Sequence, residues 1–247
     1  MGIDLKKMKA KLAAAQGNGK GGKSDFWKIT EGEHTVRILP SEDGDPFKEF
    51  HFHYNVGKQN GFLCPKRNFG EECPVCDFAT KLFNQGDTES INMAKKLFAR
   101  QRFFSPVMVR GEEKEGERVW GYSKTVYQEL LSLVLNPDFG DITDAEDGVD
   151  LVLKYAKDPG QLYPRTSVTP RRKSSPLCED GDTDCQELID NVPDFDTLFE
   201  RKTTGDVAAI LDEAMNSDLD AEENSSETSK YNAPSNDVEA ALQELVG

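Results

Sequence analysis

The chain has 247 residues, 36% of them hydrophobic and 30% charged, with a formal net charge of −15; that is enough for one domain of ordinary size with tails, or for two small domains. No apolar run approaches the roughly 18 residues that cross a bilayer, the basic start lacks the apolar core of a secretory signal, and five cysteines, an odd number, do not make a disulfide scaffold, so the expectation is a soluble intracellular chain with no membrane partner. The acidity is local: residues 178–247 hold 20 Asp/Glu and 3 Lys/Arg, a net of −17, which leaves +2 for residues 1–177 and a body able to present a basic face.

Residues 1–16 read as a basic helix with Lys6, Lys7, Lys9 and Lys11, and GNGKGGKS at 17–24 breaks it, giving a flexible basic arm over 1–24. The folded body is expected over 25–205. FWKI and HTVRIL are short, aromatic or β-branched strands. FKEFHFHY, 47–54, alternates, with Phe50, Phe52 and Tyr54 on one face and His51 and His53 on the other. Residues 57–76, rich in Gly, Asn and Cys, read as a loop. FATKLFNQ and INMAKKLFARQRF read as two helices, the second leading into a strand. FFSPVMVRG and RVWGYSK form a hairpin around GEEKEGE, and TVYQELLSLVL, 125–135, is a helix with Val126, Leu130, Leu133 and Val134 on one face. DLVLKYAK, 150–157, is a strand; PRTSVTPRRKSSP, 164–176, is a basic, Pro-rich loop. Residues 206–247 are acidic and nearly free of aromatics, a composition that buries too little apolar surface to offset chain entropy, so a disordered tail is expected there. Within it Val238, Leu242 and Leu245 form an apolar stripe on a short helix, a candidate partner-binding element.

Cys64-Pro-Lys and Cys73-Pro-Val-Cys76 are the sharpest signal. A Cys-x-x-Cys places two thiolates on one turn, a third Cys lies nine residues upstream, and His51 and His53 offer the fourth ligand. Three Cys and one His suit one tetrahedral zinc, and four protein ligands leave no open position for a reacting water. The zinc is therefore structural and adds to the folding free energy of a segment, about 47–100, that has little core of its own. A thioredoxin-like redox motif would sit at a helix start in an α/β pattern, which the turns and short strands here do not offer. Cys178 and Cys185 read as free thiols.

Non-specific single-strand binders combine a basic groove with aromatic platforms. Residues 95–127 interleave both: Lys95, Lys96, Arg100, Arg102, Phe103, Phe104 and Tyr122 are the candidates, and Tyr163 with Arg165 begins a second basic stretch that continues through Arg171, Arg172 and Lys173. Tyr122 and Tyr163 stand beside Gly or Pro and basic residues, outside apolar runs.

KLAAAQGNGKG, VRILPSEDGDPF, HYNVGKQNGFLCPKRNFGEECPVC, RVWGYSK and LVLK, with the order basic arm, cysteine-bearing body and acidic tail, resemble the single-stranded DNA-binding, helix-destabilising proteins of T-even-type bacteriophages, particularly relatives in cyanobacterial phages. The similarity runs from Leu12 to Leu153 and resumes in the tail. It implies a fold that is mainly β with α: an OB-fold-like five-stranded barrel core with a small zinc-binding subdomain. It also implies zinc held by one His and three Cys, self-association along DNA through the basic arm, and recruitment of replication and recombination proteins by the tail, in the cytoplasm of an infected bacterial host. Carried over, the ligands are Cys64, Cys73, Cys76 and one histidine. The family spacing to the first Cys points to His51, and the register from Pro46-Phe47 points to His53, which we favour. The DNA positions are Phe103, Phe104, Tyr122 and Tyr163, with Arg100 and Arg102 near the family's basic cluster. The chain has Phe103-Phe104 where the family has Tyr-Trp, and its arm lacks the family's compact basic-Ser-Thr cluster. The competing readings are a zinc-ribbon transcription or assembly factor and a zinc-dependent nuclease or deaminase; the latter lacks the His-x-Glu pattern, so no enzyme is expected.

Overall fold

The computed structural model describes residues 26–157, 159–161, 163–178 and 185–228, with side chains as far as Asn216 in the last helix. The expected basic arm and the stripe of Val238, Leu242 and Leu245 lie outside the described residues. In chain order the elements are β1 (Phe26–Trp27), β2 (Gly32–Ile38), β3 (Lys48–Val56), β4 (Gln59–Leu63), α1 (Pro65–Phe69), α2 (Pro74–Gln85), α3 (Thr88–Leu97), β5 (Arg100–Val109), a 3-10 turn (Glu113–Glu115), β6 (Arg118–Tyr122), α4 (Lys124–Val134), β7 (Leu151–Ala156), β8 (Arg165–Pro170), α5 (Cys185–Asp190), α6 (Phe195–Leu198) and α7 (Thr204–Thr228). The class is mixed α and β, dominated by a multi-stranded sheet, as expected. Among the described residues no helix is long and apolar enough to cross a membrane. The chain divides into two units, 1–47 with 104–192, and 48–103 with 193–247.

The first unit is built on the strand order β1-β6-β5-β2-β7-β8. β2 pairs antiparallel with β5 (Val36 opposite Val109) and with β7 (Val36 opposite Leu151), so its apolar residues are enclosed. Val36, Ile38, Leu39, Val107, Trp120, Leu130, Leu151 and Leu153 are buried; each such side chain contributes roughly 1.5–3 kcal/mol of transfer free energy. α4 buries Val126 and Leu130, one turn apart, while Val134 is exposed at the helix end. β8, expected as loop, is a strand: Leu151 to Ala156 pair with Pro170 to Arg165, and exposure alternates residue by residue along it. The edge of β7 supplies the partner that local sequence does not announce.

A buried charge network fixes the end of this sheet. Arg37 of β2, fully buried, donates from Nε to Asp150 Oδ1 (3.0 Å), from Nη1 to the Asp144 carbonyl (3.1 Å) and from Nη2 to Ser175 O and Oγ (2.6 and 2.8 Å). Arg110 grips the same carboxylate from Nε and Nη2 (3.1 and 3.0 Å) and donates to the carbonyls of Leu177 and Pro176 (both 2.7 Å). A Cβ at Gly148 would stand 2.2 Å from the Asp144 carbonyl oxygen, so the loop closes on Arg37 only with glycine there.

Cys178 and Cys185, expected as free thiols, form a disulfide, with Cα atoms 5.8 Å apart. Their neighbours Leu177 and Leu188 bury with Leu39 and Met108 in one cluster, and both cysteines pack on it. Burial of the flanking leucines brings the sulfurs together; spacing in an acidic stretch does not reveal that.

In the second unit β3 and β4 form a hairpin, Phe52 opposite Leu63 and Val56 opposite Gln59, leaving Gly57-Lys58 as its turn. Gly57 has φ +55°, and a Cβ there would lie 3.2 Å from that of Ala214 on α7; both conditions select glycine. Residues 57–76, expected as loop, contain β4, α1 and the start of α2. Both Cys-Pro pairs are helix starts, contrary to the turns and short strands expected around the Cys-x-x-Cys: Cys64 and Cys73 are N-caps, each followed by a proline at the first position, and Gly70 ends α1 with φ +72°; what sets the pair apart from a redox motif is the company of Cys64 and His53. The expected disordered region after 205 also begins as helix α7. Val207 and Ile210 bury beside Val56, Phe62 and Val75, with Leu211 and Ala214 packed against them. Positions 207, 210, 211 and 214 are one helical stripe, which the acidic composition masks. Phe199 contacts Phe50 and Phe52 edge-on, both at 5.0 Å.

Candidate metal centre and nucleic-acid residues

β3 and β4 and the N-termini of α1 and α2 converge on four side chains. His53, Cys64, Cys73 and Cys76 are all buried, with ligand atoms within 4.8 Å of one another. His53 Nε2 lies 3.3 Å from Cys73 Sγ and 3.5 Å from Cys76 Sγ, and the sulfurs of Cys64 and Cys76 are 3.5 Å apart. Around a tetrahedral zinc with bonds of about 2.3 Å to sulfur and 2.0 Å to nitrogen, the edges are about 3.8 Å between sulfurs and about 3.5 Å from sulfur to nitrogen. These three edges match that polyhedron to within a few tenths of an ångström, and the group could hold a metal ion.

The surroundings orient the donors. His53 Nδ1 stands 2.8 Å from the Leu97 carbonyl; with the N–H there, Nε2 keeps its lone pair for the cluster, the usual outer support of a metal-bound imidazole. The Arg67 N–H donates to Cys64 Sγ at 3.4 Å. Hydrogen bonds from the Cys73 and Cys76 thiols, with the N–H groups of Arg67 and Lys66, pull Cys64 down to about 3, while contact with Cys64 and Cys73 and burial push Cys76 up. Cys64 and Cys76 are thus driven in opposite directions, a conflict that a divalent cation beside both sulfurs would remove. His51 lies outside the cluster: its Nδ1 is 3.7 Å from Glu49 and its side chain is partly exposed.

The expected DNA residues fall in both units. In the second, Lys95 and Lys96 occupy the last turn of α3, exposed, and Arg100 and Arg102 open β5, the first exposed and the second half-buried. These two arginines oppose the upward push that burial exerts on the Tyr54 phenol, which places their charge near that ring. Tyr54 is half-buried, stacks on Phe52 at 5.8 Å, and lies across Gly61, where a Cβ would be 3.0 Å from the ring. Sequence reading passed over Tyr54; the signal was the cross-strand glycine opposite an aromatic. Phe103 is buried.

In the first unit Phe104 and Tyr122 are also buried: Phe104 meets Phe26 edge-on at 6.2 Å, and the Tyr122 hydroxyl is 2.7 Å from Ser105 Oγ. A base stacks only on an exposed face, so Phe103, Phe104 and Tyr122 as placed are core, a correction to their expected role as platforms. Tyr163 is 79% exposed and stands two residues before Arg165, the exposed first residue of β8. A family model described as gp32 DNA binding protein like matches residues 30–217. Among curated proteins none matches the chain.

Proposed function

The chain belongs to the gp32 DNA-binding-protein-like family, and from that premise we propose that it coats and protects single-stranded DNA, without strong sequence preference, during phage DNA replication, recombination and repair. The family match over 30–217 carries this reading. It is supported by exposed Tyr163 beside Arg165 and by Tyr54 flanked by Arg100 and Arg102, each a ring next to cations. His53, Cys64, Cys73 and Cys76 hold one zinc, which is structural because its four ligands all come from the protein. The protein works as a binding module and not as an enzyme, in the cytoplasm of the infected bacterial host. Copies associate along the strand through the basic arm, and the acidic tail, with Val238, Leu242 and Leu245, recruits replication and recombination proteins.

The deciding experiment is a fluorescence titration with matched single-stranded and duplex DNA over a range of salt. Single-stranded DNA is expected to bind more tightly, with log K falling by about 0.7 per phosphate neutralised for each decade of salt. Tyr163→Ala and Tyr54→Ala are each expected to cost roughly 1–3 kcal/mol of binding. Equal or tighter duplex binding overturns the reading in favour of a zinc-ribbon factor.

A further inference from the structure

Within the first unit a cavity of about 950 Å³ opens between the β5–β6 connection and the segment that follows β8. Five cations line it, Arg110, Lys114, Arg171, Arg172 and Lys173, against two carboxylates, Asp150 and Glu113. Asp150 is already held by both Arg37 and Arg110, so its charge is matched twice from within the fold. The cavity therefore presents excess positive charge above a floor that includes Met108 and Leu177.

The basic wall is built, not loose. The Arg171 N–H donates to the Asp150 carbonyl (2.9 Å), that of Ser175 to Gly148 (3.0 Å) and that of Leu177 to Ala145 (2.7 Å). The carbonyls of Ser175, Pro176 and Leu177 accept from Arg37 and Arg110, and Cys178 is tied to Cys185. The backbone on either side of Arg172 and Lys173 is thus fixed before any ligand arrives, while their side chains stay exposed to meet it. It is also separate from the ring and cation at the other end of the strand. Arg165 and Arg171 bracket β8, and six residues of strand span about 20 Å.

We propose that this cavity is a second phosphate-binding site, in which Arg172 and Lys173, with Arg171 beside them, take the phosphate. Guanidinium forks match phosphate oxygens in pairs. The phosphate comes from the single strand itself or from a free nucleotide. The proposal deepens the DNA-binding reading, and its test separates the two.

The test compares the full-length protein with R172E/K173E, and with R172Q/K173Q should the charge reversal fail to fold, judged by zinc content and thermal midpoint. An oligo(dT) titration across salt and a thermal-shift titration with inorganic phosphate and with dTMP are run on each. If the strand occupies the cavity, the variant loses about 1.4 from the slope of log K against log salt, the share of two phosphates. If free nucleotide is the source, the slope is unchanged but the thermal shift by phosphate and dTMP disappears. No change in either measurement, while the parent binds oligo(dT), overturns the cavity site and leaves the DNA reading intact. A parent that fails to bind oligo(dT) overturns the DNA reading, and the phosphate shift alone then decides the cavity.

Discussion

Replacing Val207 and Ile210 together by alanine tests whether α7 is a structural wall of the cysteine-bearing unit. Val207 is fully buried and Ile210 is 9% exposed, in the same cluster as Cys64, Cys73 and Cys76. The two changes remove five carbon groups; at about 0.8 kcal/mol each the transfer loss is about 4 kcal/mol, and the cavity left behind adds to it. Whole domains are stable by roughly 5–15 kcal/mol, so the pair removes a large share of what holds this unit together. Urea unfolding of the zinc-loaded protein gives the free energy from the midpoint at constant slope, and the rate of zinc transfer to a chromophoric chelator reports the unit directly. Asp212→Ala, at an exposed position on the same helix, is the control and is expected to stay within about 0.5 kcal/mol. A double variant that loses less than about 1 kcal/mol, or releases metal no faster than the control, refutes the packing argument.

Cys76→Ser and His53→Ala are each expected to abolish stoichiometric zinc in a metal assay, while His51→Ala keeps it, because only His53 aims a nitrogen into the cluster. Reducing the Cys178–Cys185 disulfide, whose ends are separated by 7 residues, is expected to lower stability by about 2.4 kcal/mol from loop-closure entropy. The urea midpoint with and without a phosphine reductant measures this, and a Cys178→Ser/Cys185→Ser variant insensitive to the reductant confirms the source.

The metal cluster was legible because Cys-x-x-Cys brings its own geometry: two thiolates share a turn whatever the fold around them. Choosing the histidine needed more. His51 and His53 share a strand face, and their surroundings separate them: the backbone carbonyl of His51 accepts from Cys64 N–H at 2.8 Å, while the ring of His53 reaches the sulfurs. The helical stripe at 207, 210, 211 and 214 was present in the sequence, but its acidic neighbours set the composition of the window, and its partners Val56 and Phe62 lie some 150 residues away. β8 carried an alternation of Thr166, Val168 and Pro170 against Arg165, Ser167 and Thr169 that prolines and arginines disguised as loop. Phe103, Phe104 and Tyr122 sit among basic residues yet are buried; local charge says nothing of which side of a strand faces the core.

That the cysteines share a cluster with Val207 and Ile210 has a consequence for biosynthesis. The chain leaves the ribosome N-terminus first, at about 5–20 residues per second. Cys76 precedes Val207 by about 130 residues, so the three thiols emerge roughly 7–26 s before the helix that covers them. Through that interval they face the cell without their lid, open to oxidation or to a wrong metal. Early capture of a metal ion by these side chains would thus protect the nascent chain as well as the finished one, and a message cut short before codon 207 yields a product that lacks the helix packed in this cluster.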